Sequence, residues 1–159
     1  MNHQSTNKFA KYLQLRYAVV IIKNHKYLSL AAMPARQNNM IKAYKLYTGQ
    51  DGHSHVQTGT VAEGLFNQAS SIRFQESPPH SFYDWHNAPA DQYVITLSGT
   101  LEFETRTGET FILRPGEILI ATDTTGTAHQ WKLIDDQPWR RVYVVFDEAQ
   151  SINFIPDEA

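Results

Sequence analysis

Cysteine is absent from this sequence of 159 residues. That absence excludes disulfide frameworks, thiolate nucleophiles and cysteine-based zinc sites together, and leaves His, Asp, Glu and Gln as the side chains able to hold a metal. Acidic residues are missing from the first 50 positions, which carry eight bases: Lys8, Lys11, Arg16, Lys23, Lys26, Arg36, Lys42 and Lys45. The rest of the chain carries six bases against sixteen acids. So acidic a body offers no platform for a phosphate backbone, and no nucleic-acid partner is expected. Long apolar runs are lacking as well. Tyr17 to Ile22 is ended by Lys23, far short of the roughly 18 residues a spanning helix needs, and Lys23-Asn24-His25-Lys26 interrupts what an export signal would keep apolar. No membrane partner is expected, and the chain reads as cytoplasmic.

What is present is the material of a core. Hydrophobic residues make up 42% of the chain, with eight Phe, eight Tyr and three Trp, enough to fold without covalent staples. A chain of this length supports one domain that buries roughly 70% of its unfolded surface. From Ile41 onward, short β-branched and aromatic runs alternate with turn residues, and no stretch holds a helical period. The runs predict strands over 41–47, 69–75, 82–86, 93–98, 100–105, 110–113, 118–122, 128–134 and 142–146, spaced as in an all-β sandwich or barrel. Ser98-Gly99 reads as the clearest hairpin turn, with Leu101 and Phe103 facing in and Glu102 and Glu104 facing water. The charge break places a basic N-terminal appendage at 1–39, a barrel domain at 40–148 and a C-terminal tail at 149–159.

Two stretches resemble the paired motifs of the cupin superfamily. In the first, Asp84-Trp85-His86, Gln92 and Gly99 follow the layout G-x5-H-x-H-x(3,4)-E-x6-G, with Asp84 in place of the first His, Gln92 in place of the Glu, and one extra residue between His86 and Gln92. In the second, Gly108, Pro115-Gly116 and Gly126-Thr127-Ala128-His129 follow G-x5-P-x-G-x2-H-x3-N without its second-half proline and without the Asn. The chain is most similar to small bacterial cupins of unassigned function that carry W-H-x-A-P-x-x-Q-Y-V-I-T-L-S-G and D-T-T-G-x-x-H runs. The resemblance covers Met40 to Phe146 and implies an all-β double-stranded β-helix, a jelly-roll-like barrel that commonly pairs as a homodimer.

The same residues make chemical sense as a cluster. Two positions apart on one strand, Asp84 and His86 should leave the same face, with Tyr83 and Trp85 on the other. A closed barrel would bring them to Gln92 and to His129, which shares its face with Trp131 and Leu133. Two imidazoles and a carboxylate with open positions suit Fe(II), and also Mn, Ni or Zn. His86, His129, Asp84 and Gln92 are therefore the expected ligand set of a divalent metal. A metal-free reading of the same residues hydrogen-bonds Asp84 to Gln92. Gln92, Trp85, Tyr93 and Trp131 are the expected contacts of a small-molecule ligand. His80 reads as a residue of the barrel mouth, His53 and His55 as loop or strand-end residues, and Asp123 as an Asx-type turn residue. Two functions fit: an oxygenase-like or isomerase-like cupin enzyme acting on a small organic molecule, or a non-catalytic binding or sensing module.

Overall fold

A computed structural model describes residues 40–147 and 152–158. The expected N-terminal appendage, 1–39, lies outside the described residues. Among them are eleven strands and no helix: β1 (Ile41–Thr48), β2 (Ser54–Val61), β3 (Ser71–Ser77), β4 (Phe82–His86), β5 (Gln92–Ser98), β6 (Leu101–Thr105), β7 (Thr110–Leu113), β8 (Ile118–Thr122), β9 (His129–Leu133), β10 (Trp139–Val145) and β11 (Ile155–Pro156). They form a seven-stranded sheet in the order β11-β2-β1-β8-β5-β10-β3 and a four-stranded sheet in the order β4-β9-β6-β7. All pairings are antiparallel except that of β1 with β8. Between β3 and β10 the chain crosses repeatedly from one sheet to the other, the winding of a double-stranded β-helix, so the fold is the all-β cupin type that the sequence implied.

The expected hairpin at Ser98-Gly99 is not one. Strand β5 pairs with β8 and β10 in the large sheet, whereas β6 pairs with β7 and β9 in the small sheet. Ser98-Gly99 is the corner by which the chain changes sheets. Gly99 has φ +85, and a Cβ there would sit 3.0 Å from the Trp139 Cα and 3.0 Å from Leu133 Cδ1, so the corner requires glycine. The true hairpin joins β6 to β7 through Thr107-Gly108. Strand β2 escapes a sequence reading because its run Ser-His-Val-Gln-Thr-Gly-Thr-Val has few apolar residues; its pairing with β1 stabilises it instead.

Leu46, Val94, Leu119, Leu101, Phe103, Leu113, Trp131, Leu133 and Trp139 fill the space between the sheets. Each such side chain contributes roughly 1.5–3 kcal/mol by leaving water. A second cluster lies on the opposite face of the large sheet, where Ala43, Tyr93, Ile120 and Phe146 are covered by Ile152 and Phe154. The segment read as a tail is thus partly built into the domain. Ile155 pairs with Thr60 across β11 and β2, and Asn153 donates to the Ala62 carbonyl and accepts from the Ala62 N–H. Its acidic composition hid two half-buried apolar anchors, Ile152 and Phe154.

Candidate functional site

The inner faces of β3, β5, β8 and β10 and of β4 and β9 enclose a cavity of about 470 Å³. Alternation along β10 turns Trp139, Arg141 and Tyr143 inward, opposite Ser77, Gln75 and Arg73 of β3. From β5 come Gln92 and Val94, from β8 Leu119 and Ala121, and from the small sheet Tyr83, His86, His129 and Trp131. The volume suits a small organic molecule, and aromatic walls with a few polar groups are the usual make-up of such sites.

The two predicted histidines meet. Their ring centroids lie 4.4 Å apart, and both rings line the cavity. His129 is buried and its Nδ1–H donates to Asp123 Oδ2 at 2.7 Å. The His86 Nδ1–H donates to the Asp84 backbone carbonyl, also at 2.7 Å. Each acceptor fixes its ring's tautomer and leaves Nε2 as the free nitrogen. Burial holds the His86 imidazole below its ordinary range; its bond to the Asp84 carbonyl opposes this, and His129 adds to the depression.

Asp84 does not join them. Between Tyr83 and His86 the pairing of β4 with β9 shifts: Tyr83 faces Trp131 and His86 faces His129, so three steps along β4 match two along β9. This bulge breaks the two-residue alternation on which the expected ligand set rested. It turns Tyr83, still 54% exposed, and His86 toward the cavity, while Asp84 is exposed and its Oδ1 accepts the Trp85 N–H at 2.8 Å. The carboxylate that is present, Asp123, spends Oδ2 on His129 Nδ1 and supports an imidazole instead of a metal. Among the described residues no three His, Asp or Glu side chains converge on a point that could hold an ion. The residues therefore do not fit a two-histidine, one-carboxylate centre. Nor is the alternative Asp84–Gln92 pair formed, since Asp84 is exposed and Gln92 is buried in the cavity wall.

Of the expected ligand contacts, Gln92 and Trp131 line the cavity. Trp85 and Tyr93 do not. Trp85 faces outward, as its alternation with His86 requires, and lies beneath Arg106, whose guanidinium is 4.3 Å above the ring. Tyr93 belongs to the outer face of β5, where it packs on Phe146 and its hydroxyl accepts the Asn153 N–H. His80 is exposed and pairs with Asp136 at 2.9 Å. His53 contacts Thr127, and His55 is held between Asp51 and Glu109, each 2.9 Å away. None of these three lines the cavity.

Sequence reasoning missed Asp123 and Arg141. Asp123 sits at the end of β8 and is wholly buried, and the loop that follows is fixed by Asn87, whose Nδ2 donates to the carbonyls of Asp123 and Gly126, each at 2.8 Å. Its signal was the spacing from Asp123 to His129 within one run. Arg141 fell outside the predicted strand at 142–146; extending that strand back to Trp139 would have placed one of Arg140 and Arg141 inside.

The histidines set opposed pH dependences. Because the folded protein depresses His86, that residue contributes stability above the ordinary value of 6.5 and loses it as pH falls through the folded value. His55 is raised by its hydrogen bonds to Asp51 and Glu109, so its contribution is complete below 6.5 and lost as pH rises through its folded value. Thermal midpoints measured from about pH 5 to 8 should show a shallower acid limb in His86→Asn and a shallower alkaline limb in His55→Gln. Identical profiles for wild type and both variants would refute the assignment.

The class that fold and site define is an all-β cupin-type barrel with an internal cavity carrying two imidazoles. No family model matches the chain, and no curated protein matches it. Solved structures similar to it include a DUF861 family protein from Thermotoga maritima, at 23% identity over 46% of this chain and 77% of that one, with a TM-score of 0.40. A cupin domain from Bordetella pertussis is 24% identical over 55% of this chain and 88% of its own, with a TM-score of 0.39. An uncharacterised protein with a double-stranded β-helix domain from Klebsiella pneumoniae is 20% identical over 70% and 84%, with a TM-score of 0.40. These likenesses bring no ligand, metal or reaction to this chain.

Proposed function

We propose that the chain binds a small organic molecule inside the barrel and acts on it by proton transfer, an isomerase-like chemistry, with His129 as the base. The observation that carries this reading is the buried Asp123–His129 pair with His86 beside it. A carboxylate on Nδ1 orients the imidazole, fixes its tautomer and stabilises the imidazolium formed when Nε2 takes a proton. His86, held below its ordinary range, is the neutral neighbour that can accept or relay that proton. Gln92 is placed to orient a polar group of the ligand. An oxygenase-like reaction is not proposed, since its metal triad is not assembled by these side chains.

Crystals soaked with a diverse set of small organic molecules test the reading. Occupancy is expected in the cavity between Tyr83, His86 and Trp131. Occupancy confined to the outer surface would sink it.

We propose also that two copies associate through β3. This strand is an edge of the large sheet, and its outward residues Ile72 and Phe74 are 59% and 76% exposed. An open, apolar edge is costly to leave in water and pairs readily with a second copy. Sedimentation at micromolar concentration should show a dimer, and Phe74→Glu should shift it to single chains. A wild-type protein that sediments as one chain refutes the pairing.

A further inference from the structure

Arg141 is a cation in an unusual position. It is 3% exposed and lies on the cavity wall. Its Nε donates to the Tyr143 hydroxyl at 2.7 Å, and Nη1 donates to Ser77 Oγ at 3.0 Å and to the Trp139 carbonyl at 3.2 Å. The guanidinium lies 3.6 Å from the centre of the Trp139 ring. These contacts fix the group in place, yet all of them are neutral, and Nη2 has no protein acceptor among the described residues. A second guanidinium, Arg73, reaches the same cavity from β3 and lies 4.4 Å from the Tyr143 ring centre. Among the described residues no Asp or Glu lines the cavity.

A buried guanidinium without a counter-charge is costly, and a second cation nearby adds repulsion. Such an arrangement is stabilised when an anion enters, and guanidinium N–H groups match the oxygens of carboxylates and phosphates. From the Arg141, Arg73 and aromatic lining we infer that the ligand is an organic anion, with a carboxylate or phosphate on Arg141 Nη2 and Arg73 and its apolar body on Trp131 and Tyr83. The contacts Arg141 to Trp131 at 5.8 Å, Trp131 to Tyr83 at 6.0 Å and Tyr83 to His86 at 4.1 Å link the cationic end to the imidazoles. Anchored so, the ligand's apolar body runs along Trp131 and Tyr83 from the cationic end toward the imidazoles. The inference rests on the barrel being the binding site, and supplies the substrate class.

Four probes on the full chain test it: benzoate, phenyl phosphate, and the neutral benzamide and benzyl alcohol, titrated against the fluorescence of the cavity tryptophans. Benzoate or phenyl phosphate should bind at least tenfold more tightly than either neutral probe, and which of the two is preferred identifies the oxyanion. Arg141→Gln should abolish that preference. Arg73→Gln, at an exposed position that leaves the wall intact, should reduce it at least threefold and keeps the test decisive if the Arg141 variant does not fold. Equal binding of charged and neutral probes overturns the anion inference while leaving the barrel as the binding site. Anion binding that is unchanged in Arg73→Gln and Arg141→Gln overturns it as well, as does the absence of binding by both anions. The barrel reading itself fails separately, in the soaked crystals.

Discussion

Replacing Trp139 with alanine is expected to cost about 3–5 kcal/mol of stability, the range for deleting a large buried aromatic side chain. Trp139 is 2% exposed and joins the two sheets. It meets Trp131 edge-on with ring centres 4.7 Å apart, touches Phe103 at 6.3 Å and carries the Arg141 guanidinium on its face. Its Nε1–H donates to Thr96 Oγ1 at 3.4 Å, so alanine removes both a hydrophobic body and a polar tether. Domains of this size are commonly stable by only about 5–15 kcal/mol, so the variant should approach the folding threshold. Urea unfolding measures the loss, and Trp139→Phe should recover much of it. A loss under about 1 kcal/mol would mean that the sheets do not depend on this contact. Because the ring is also the platform for Arg141, binding of anionic probes should weaken in the phenylalanine variant even where the fold survives.

Asp123→Ala is the second large effect expected. It leaves the His129 Nδ1–H buried without its acceptor, which costs about 1–3 kcal/mol as an unsatisfied donor and about 3–5 kcal/mol if the pair is ionised. Asp123→Asn separates structure from chemistry. An amide oxygen can still accept the Nδ1–H, while Asp123 Oδ1 has no hydrogen-bond partner among the described residues, so the amide form forfeits no second bond on that side. Stability should fall less than in the alanine variant. What the asparagine loses is the obligate acceptor: an amide can also donate, so the tautomer of His129 is no longer dictated. Nitrogen chemical shifts should show a single Nδ1–H form in the wild type and a mixture in the variant. Turnover of a substrate that depends on His129 as base should drop about 10²–10⁴-fold. Unchanged turnover would remove Asp123 and His129 from the chemistry and leave a binding module.

Much of the fold was legible because strands announce themselves locally. The runs at Phe82–His86, Thr110–Leu113 and Ile118–Thr122 were read with their observed limits, and Leu101 and Phe103 are buried as their alternation required. Strand β2 was not, since a polar strand held by its partner carries no apolar signature. The corner at Gly99 was read as a hairpin because a glycine turn between two alternating runs looks the same whether the strands pair or part company. Of the site, His86, His129, Gln92 and Trp131 were identified and do line one cavity.

The sequence by itself determined the class of the molecule: alternation and turn spacing required an all-β sandwich or barrel, and the resemblance of the two motifs implied the barrel with His86 and His129 in its interior. Tertiary structure decided which side chains meet in the cavity. One extra residue in β4 reversed the parity of Tyr83 and Asp84 relative to His86, and a bulge is a property of two paired strands that neither strand shows alone. Asp123 became the partner of His129 only because Asn87, from another strand's end, fixes the loop between them. Arg141 was one of two adjacent arginines until the sheets closed over it, and its charge has meaning for a ligand because the fold took it out of water without giving it an anion.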